Sequence, residues 1–378
     1  MAKRSTVEKA KTTTKSKSKV TVSRRQIQRY LELAAGVVPP KPRIATLGNV
    51  LLDVKGGRLR MRSTNLDLEL CGVCDVEGDA SFSAGVNARK LREIVNLLPS
   101  QEFDIYADRS GVRIECGRLY YRMLSMGSKD FPEAFKEPDM SLALPPDFRE
   151  LIESVLFSTG SETSSYALQG AKLEIRKNGR LRLVATNGHA LSLVETDCDT
   201  GHEVDCVIPK QTLSVLSRLL EDEGCAMLYG ETSVQFKAGD RALSGRTVAG
   251  VFPDYERVLP SHTLRATVSR AGFAEAVRRT GLCADERCNA IRVTFRDGEI
   301  ELRAASEETG EAEEIVPAGL SLGRTIETGF NAKYLRDFLA VAPEGDVQIY
   351  FKDGKTPFEM RPAESRRTHR YIVMPMAL

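Results

Sequence analysis

One stretch of this chain occurs three times. Its clearest copy, Asn331-Ala332-Lys333-Tyr334-Leu335-Arg336-Asp337-Phe338-Leu339, places Leu335, Phe338, Leu339 and Ala342 at i, i+3, i+4 and i+7. That spacing lines up one stripe of an α-helix and leaves Lys333 and Arg336 off it. About 122 residues earlier, Pro209 opens a run with Leu213, Leu216 and Leu220 in the same slots, and a further step of about 122 reaches Asn87, followed by Leu91, Ile94, Val95 and Leu98. A period of that length means a repeated domain.

Two independent markers keep the same period. Gly56-Gly57, Asn178-Gly179 and Asp297-Gly298 stand about 122 and 119 residues apart, each between alternating runs such as Leu181-Arg182-Leu183-Val184. Such pairs predict tight hairpins in which both central residues take positive φ. Val22-Ser23, Leu144-Pro145 and Val268-Ser269 each precede a further helical run. The expected fold class is therefore α+β, with three repeated domains of antiparallel sheets plus two helices each. The expected boundaries are a tail at 1–19 and domains at 20–140, 141–265 and 266–378. Within the first domain, Leu66 to Val76 and Leu119 to Met126 are expected as continuous strands.

The net charge of +2 over 378 residues is unevenly spread. Residues 1–19 carry seven Lys or Arg against the single Glu8, leaving the rest net −4. So polar a tail cannot offset its ordering entropy by burial, which predicts disorder, and it suits either a solvated role or a loose nucleic-acid contact. Lys and Arg concentrate on the helices of the first and third domains, while Asp147, Glu150 and Glu153 make the second domain's first helix acidic. That pattern predicts a selectively positive surface. No apolar run approaches a bilayer span and no signal peptide opens the chain, so the expected setting is soluble and intracellular.

The residues of common catalytic and metal sites are absent in their working spacings. The four histidines form no zinc spacing, and no nucleophile elbow, phosphate loop or dinucleotide fingerprint occurs. Cys71-Gly72-Val73-Cys74 lies in an alternating run, so its two thiols are expected on opposite strand faces. The acidic run Glu307 to Glu314 is expected as a solvated strand face or as partners for Lys and Arg. No catalytic residue, metal ligand or cofactor is expected.

Three segments then carry a resemblance. Ala185-Thr186-Asn187-Gly188-His189-Ala190-Leu191, Phe252-Pro253-Asp254-Tyr255-Glu256-Arg257-Val258-Leu259-Pro260 and Tyr371-Ile372-Val373-Met374-Pro375-Met376-Ala377-Leu378 closely resemble signature stretches of the bacterial β sliding clamp family, the processivity subunits of DNA polymerase III. Leu47-Gly48-Asn49, Ala88-Arg89-Lys90 and Asp130-Phe131-Pro132 match more weakly, in the same order. The resemblance implies a non-enzymatic, cytoplasmic, nucleoid-associated homodimer: a head-to-tail ring around duplex DNA that tethers a polymerase and receives clamp-loader subunits through short linear peptides.

The residues this implies fall into three sets. Facing DNA would be Arg24, Arg25, Lys41, Arg89, Lys90, Tyr166, Lys210, Arg278 and Lys333. A peptide pocket would be walled by Leu168, Thr186, Gly188, His189, Leu191, Pro253, Arg257, Val258, Pro357, Ile372, Val373, Met374, Pro375 and Met376. Subunits would join through Arg118, Tyr121, Arg122 and Met123 on one side and Leu282, Cys283, Glu308 and Glu311 on the other. The chain departs from the family at Ala190, Ala377 and Ser165, where arginine is frequent, which implies a weaker pull on acidic ligand residues. The rival is a diverged or secondary clamp-like scaffold that does not close into a ring.

Overall fold

The computed structural model of the protein describes residues 19–108, 110–161, 165–220 and 224–377. The tail through residue 18, the acidic residues 221–223 and Leu378 lie outside the described residues. The described chain forms two compact bodies, one of residues 19–66 and 70–134, the other of 67–69 and 135–377.

The first body is one repeat. In one sheet, Val20–Ser23 pairs with Glu77–Gly78 on one side and Glu102–Asp108 on the other, and Gly111–Cys116 and Leu119–Met123 continue the order. In the other, the order runs Ser125–Gly127, Phe82–Asn87, Asn49–Lys55, Arg58–Thr64 and Leu68–Asp75. Helices α1 (Arg24–Ala34) and α2 (Ala88–Leu97) each start directly after a strand and pack together. Helix α2 begins where the Asn87 carboxamide oxygen accepts from the Lys90 amide at 2.9 Å, satisfying one of the amides a helix start leaves free. Its stripe of Leu91, Ile94 and Val95 is buried. Tyr30 of α1 is also buried, with its hydroxyl donating to Ser63 and to the Leu70 carbonyl. Opposite it stands Gly72, where a Cβ would lie 2.7 Å from the Tyr30 ring, too close for any other residue without a shift.

The second body contains two repeats joined through a single sheet. Its order is Val204–Pro209, Gly170–Arg176, Arg180–Thr186, Ala190–Asp197, Thr368–Val373, Phe358–Pro362, Asp346–Phe351 and Leu264–Ser269. The seam is the pairing of Ala190 with Val373 through Glu195 with Thr368. A four-stranded sheet of Gly310–Pro317, Glu299–Ser306, Ala290–Arg296 and Ile326–Asn331 completes the third repeat. Helices α3 (Phe148–Leu156) and α4 (Lys210–Leu219) pack together, as do α5 (Arg270–Thr280) and α6 (Ala332–Val341). Beneath the last pair, Phe295, Phe330, Phe351 and Phe358 meet with ring centroids 4.6 to 5.6 Å apart, where aromatic pairs add to simple burial.

The three-domain α+β architecture is present, with corrections in detail. Leu119 to Met126 is not one strand: it breaks at the exposed Leu124, and its halves enter different sheets. The expected boundaries at 140/141 and 265/266 each fall within a strand, Met140–Ala143 and Leu264–Ser269. Only Gly56-Gly57 has both turn residues at positive φ. At the other two hairpins glycine alone is left-handed, and the Asp297 carboxylate instead accepts from the amides of Leu322 and Gly323, pinning a neighbouring loop. Cys71 is half-buried and Cys74 buried, at alternate positions of their strand.

Candidate nucleic-acid and peptide interfaces

Each helix pair buries its apolar stripe and leaves the opposite face open. Arg25, Lys41, Arg89, Lys90, Tyr166, Lys210, Arg278 and Lys333 are all exposed. Several have carboxylates within their own helix: Lys90 to Glu93 at 2.5 Å, Arg89 to Glu93 at 3.4 Å, Arg278 to Glu275 at 2.7 Å, and Lys333 to Asp337. Such exposed pairs are screened by solvent and salt and give way easily to a denser anion. Arg25, Lys41 and Lys210 have no carboxylate partner among the described residues.

Arg24 does not belong with them. Its guanidinium donates to the carbonyls of Leu98 and Asn96, 2.5 and 2.8 Å away, satisfying the end of α2 from the start of α1. The third repeat reuses the device, with Arg270 donating to the Leu339 carbonyl of α6 at 3.0 Å. Arg24 reads as a surface cation because the chain order does not reveal that one helix starts beside the end of the other.

Two of the sheet edges carry the residues expected to join subunits. In the first body, Leu119–Met123 pairs on one side only, and Arg118 and Arg122 are exposed with Tyr121 half-buried. Met123 is 6% exposed and packs into the core, since strand alternation turns it inward opposite Val112. The exposed apolar groups there are Tyr120 and Leu124. In the second body, Gly310–Pro317 is likewise an edge strand, carrying exposed Glu311 and Ile315 beside exposed Leu282 and Glu308, while Cys283 is half-buried against the core. Part of the acidic run is paired, Glu314 with Arg279 at 2.5 Å and Glu311 with Arg303 at 3.0 Å. Among the described residues no cluster of three or more His, Cys, Asp or Glu could hold a metal ion, and no helix is long and apolar enough to cross a membrane.

The residues expected to wall a peptide groove gather at one end of the eight-stranded sheet. Register places its parts: Leu191 pairs with Ile372, Phe358 with Val373, and the chain turns at Gly188, whose φ of +89° favours glycine. Asn187 accepts from the amides of His189 and Ala190, both at 2.9 Å, and the Thr186 hydroxyl donates to the Ala190 carbonyl, so the turn is rigid. The Met374 amide donates to the His189 carbonyl at 2.9 Å and the Met376 amide to the Gly329 carbonyl at 2.8 Å, which straps the C-terminal segment down. Leu191 and Ile372 share a buried apolar cluster with Val184, Phe252 and Tyr255, the expected floor. Pro253, Arg257, Val258 and Met374 are exposed, the last at 46%, with Leu168 and Pro357 at the same end of the sheet and Pro375 half-buried in the strap.

Two neighbouring positions point the other way. Val373 is fully buried in the third repeat's core, one residue out of phase with Ile372. Ala190 pairs with it there at 4% exposure, so its small size serves core packing. Sequence reasoning missed Tyr334, whose ring stacks on His189 at 6.3 Å from α6; only the proximity of α6 to the turn reveals it.

The linker that carries Pro253, Arg257 and Val258 is tied to both repeats. At its 3-10 turn, Tyr255–Val258, the Tyr255 hydroxyl donates to Glu174 at 2.6 Å, and Glu256 accepts from Arg182 at 2.9 Å. Burial pushes the Glu174 carboxyl up, but donors from Lys172 and Tyr255 outweigh it and hold it below its ordinary value. Farther along, His262 lies 2.9 Å from the fully buried Glu359, which also accepts from Arg361 and Arg370. Burial would raise that carboxyl too, yet the hydrogen bonds of Arg370, Arg361 and His262 hold it at about 2.

The comparisons with known proteins agree along the whole chain. Family models for the N-terminal, central and C-terminal domains of the DNA polymerase III beta subunit match residues 18–135, 144–254 and 256–377. The chain is 32% identical to the beta sliding clamp of Pseudomonas putida over 369 residues, covering 95% of this chain and 99% of that one. Its similarity to that of Pseudomonas aeruginosa is also 32%, over 370 residues. A crystal structure of the Pseudomonas aeruginosa sliding clamp bound to griselimycin superposes with a TM-score of 0.89 at 30% identity, covering 96% of this chain and all of that one. The Bartonella birtlesii clamp, also bound to griselimycin, gives 0.90 at 27% with the same coverage.

Proposed function

Because the chain belongs to the DNA polymerase III beta subunit family, we propose that it acts as a DNA sliding clamp whose three residue sets divide the work. It closes head to tail with a second copy around duplex DNA and confers processivity on the replicative polymerase and other partners. It is a binding protein of the bacterial cytoplasm and nucleoid, with no catalytic step of its own.

The observation that carries the reading is the match of all three repeats to the family in order, together with an open sheet edge in the first repeat and another in the third. One edge carries Arg118 and Arg122, the other Glu308 and Glu311. Head-to-tail closure pairs such unlike edges, with Tyr120, Leu124, Leu282 and Ile315 supplying apolar contact and the opposed charges fixing orientation. Arg25, Lys41, Arg89, Lys90, Tyr166, Lys210, Arg278 and Lys333 then face the phosphates, which demand charge without base reading. The groove takes a short peptide by its apolar anchors.

Retention separates this from a clamp-like protein that does not close. Phosphate contacts alone are screened by salt, whereas a closed ring leaves circular DNA only by opening. Protein loaded on nicked circular DNA is expected to survive high salt and to slide off once the DNA is linearised. Equal loss from both substrates would exclude closure.

A further inference from the structure

The wall of the groove has little structure of its own. It is a loop between the second and third repeats whose one regular turn is Tyr255–Val258, and both Arg257 and Val258 on it are exposed. What holds it is unusual for a loop: a buried acid from each repeat. Glu174, 8% exposed on a strand of the second repeat, accepts from the Tyr255 hydroxyl. Glu359, with no exposure on a strand of the third, engages His262. Glu359 is also the cross-strand partner of Ile372, so the second anchor stands beside the groove floor.

We propose that Glu174 and Glu359 are positioning residues for peptide capture, fastening the two ends of the linker so that Val258 and Arg257 stand at a set height over Leu191 and Ile372. The inference rests on the groove being the partner site. A buried carboxylate suits this task because its hydrogen bonds are charge-assisted and directional, and losing one leaves an unpaired group that the loop must shift to solvate. Tying the wall to both repeats also makes its position depend on the seam between them, so the groove is open to the peptide only when the two repeats keep the register of Leu191 with Ile372.

The test uses the full-length dimer and a fluorescent polymerase-derived peptide. Tyr255→Phe removes one hydroxyl and leaves the ring in the floor. It is expected to weaken peptide binding about tenfold, chiefly by faster dissociation. Glu174→Ala should act similarly, whereas Glu174→Gln, which keeps an acceptor for the Tyr255 hydroxyl, should recover part of the loss. Amide exchange over residues 255–259 should quicken in Tyr255→Phe while dimer mass and retention on circular DNA stay unchanged. A general loss of stability would not produce that local pattern or the rescue by glutamine. If removal of Met374 to Leu378 abolishes binding while Tyr255→Phe and Glu174→Ala bind like the wild type, the anchors do not position the wall. If the truncated protein binds as tightly as the wild type, the groove is not the partner site. Should Glu174→Ala fail to fold, Tyr255→Phe decides alone.

Discussion

The proposed DNA face and the proposed peptide groove would solve two recognition problems in opposite ways. On the proposed DNA face, eight exposed residues from five helices and two loops would each contribute a small, screened, interchangeable share. In the groove, a few apolar side chains brought together from residues 168 to 376 rest on a rigid turn, a strapped terminus and two buried acids. The difference teaches where a substitution is felt: spread charge tolerates single losses, and a shaped socket does not.

The largest effect is therefore expected from the groove. Removing Met374 to Leu378 deletes the straps to His189 and Gly329 and should weaken peptide binding about hundredfold, with retention on DNA intact in the same preparation. Titration of both ligands against one sample checks the separation, and loss of both together would break the comparison.

Next in size is Leu282→Asp. It places a carboxylate where 70% of the leucine surface is exposed on one half of the proposed interface, near Glu308 and Glu311. Dimer dissociation should strengthen about thirtyfold, read by sedimentation, with each body still folded. An unchanged dimer would move the interface elsewhere.

Acid should sharpen the contrast. His369, buried beside the groove strand and 3.0 Å from Ser192, is held at about 4 mainly by burial. Its folded value lies below its unfolded one, so the unfolded chain binds the extra proton first and stability falls as pH drops from about 6.5 towards 4. By pH 5 the second body should have lost about 2 kcal/mol from this group. Glu359, also depressed, adds a further loss below about pH 4.5, since its contribution is complete above its ordinary range and vanishes only near 2. The loss belongs to the second body, so its melting temperature should fall with acid while that of the first body is spared this contribution. A His369→Gln protein should lack the upper part of the melting-temperature drop.

Smaller effects divide the cations. Arg24→Ala should cost about 1 to 3 kcal/mol of stability in the first body by freeing the end of α2, with little change in DNA affinity. Lys210→Ala should do the reverse, lowering affinity only a few-fold and reducing the salt dependence by about one counterion, with melting unchanged. Binding isotherms across a salt series distinguish the two.

Much of this molecule is legible in one dimension because its information is local and repeated. Helical stripes such as Leu335, Phe338 and Leu339, turn glycines, and strand alternation depend on neighbours within a few residues, so the threefold period and six helices follow from the chain alone. The groove's segments were identified through resemblance to a family. What only the tertiary structure decided concerns faces and distant partners. Alternation says that Ile372 and Val373 point opposite ways, but the packing of α6 and the linker chose which faces the groove. Composition marks Arg24 as a surface cation; the nearness of Leu98 made it a cap. Tyr334 joined His189, and Glu174 and Glu359 took hold of the linker, across separations of 81 to 145 residues, because burying a charged or aromatic group is favourable only once folding has brought its partner within reach.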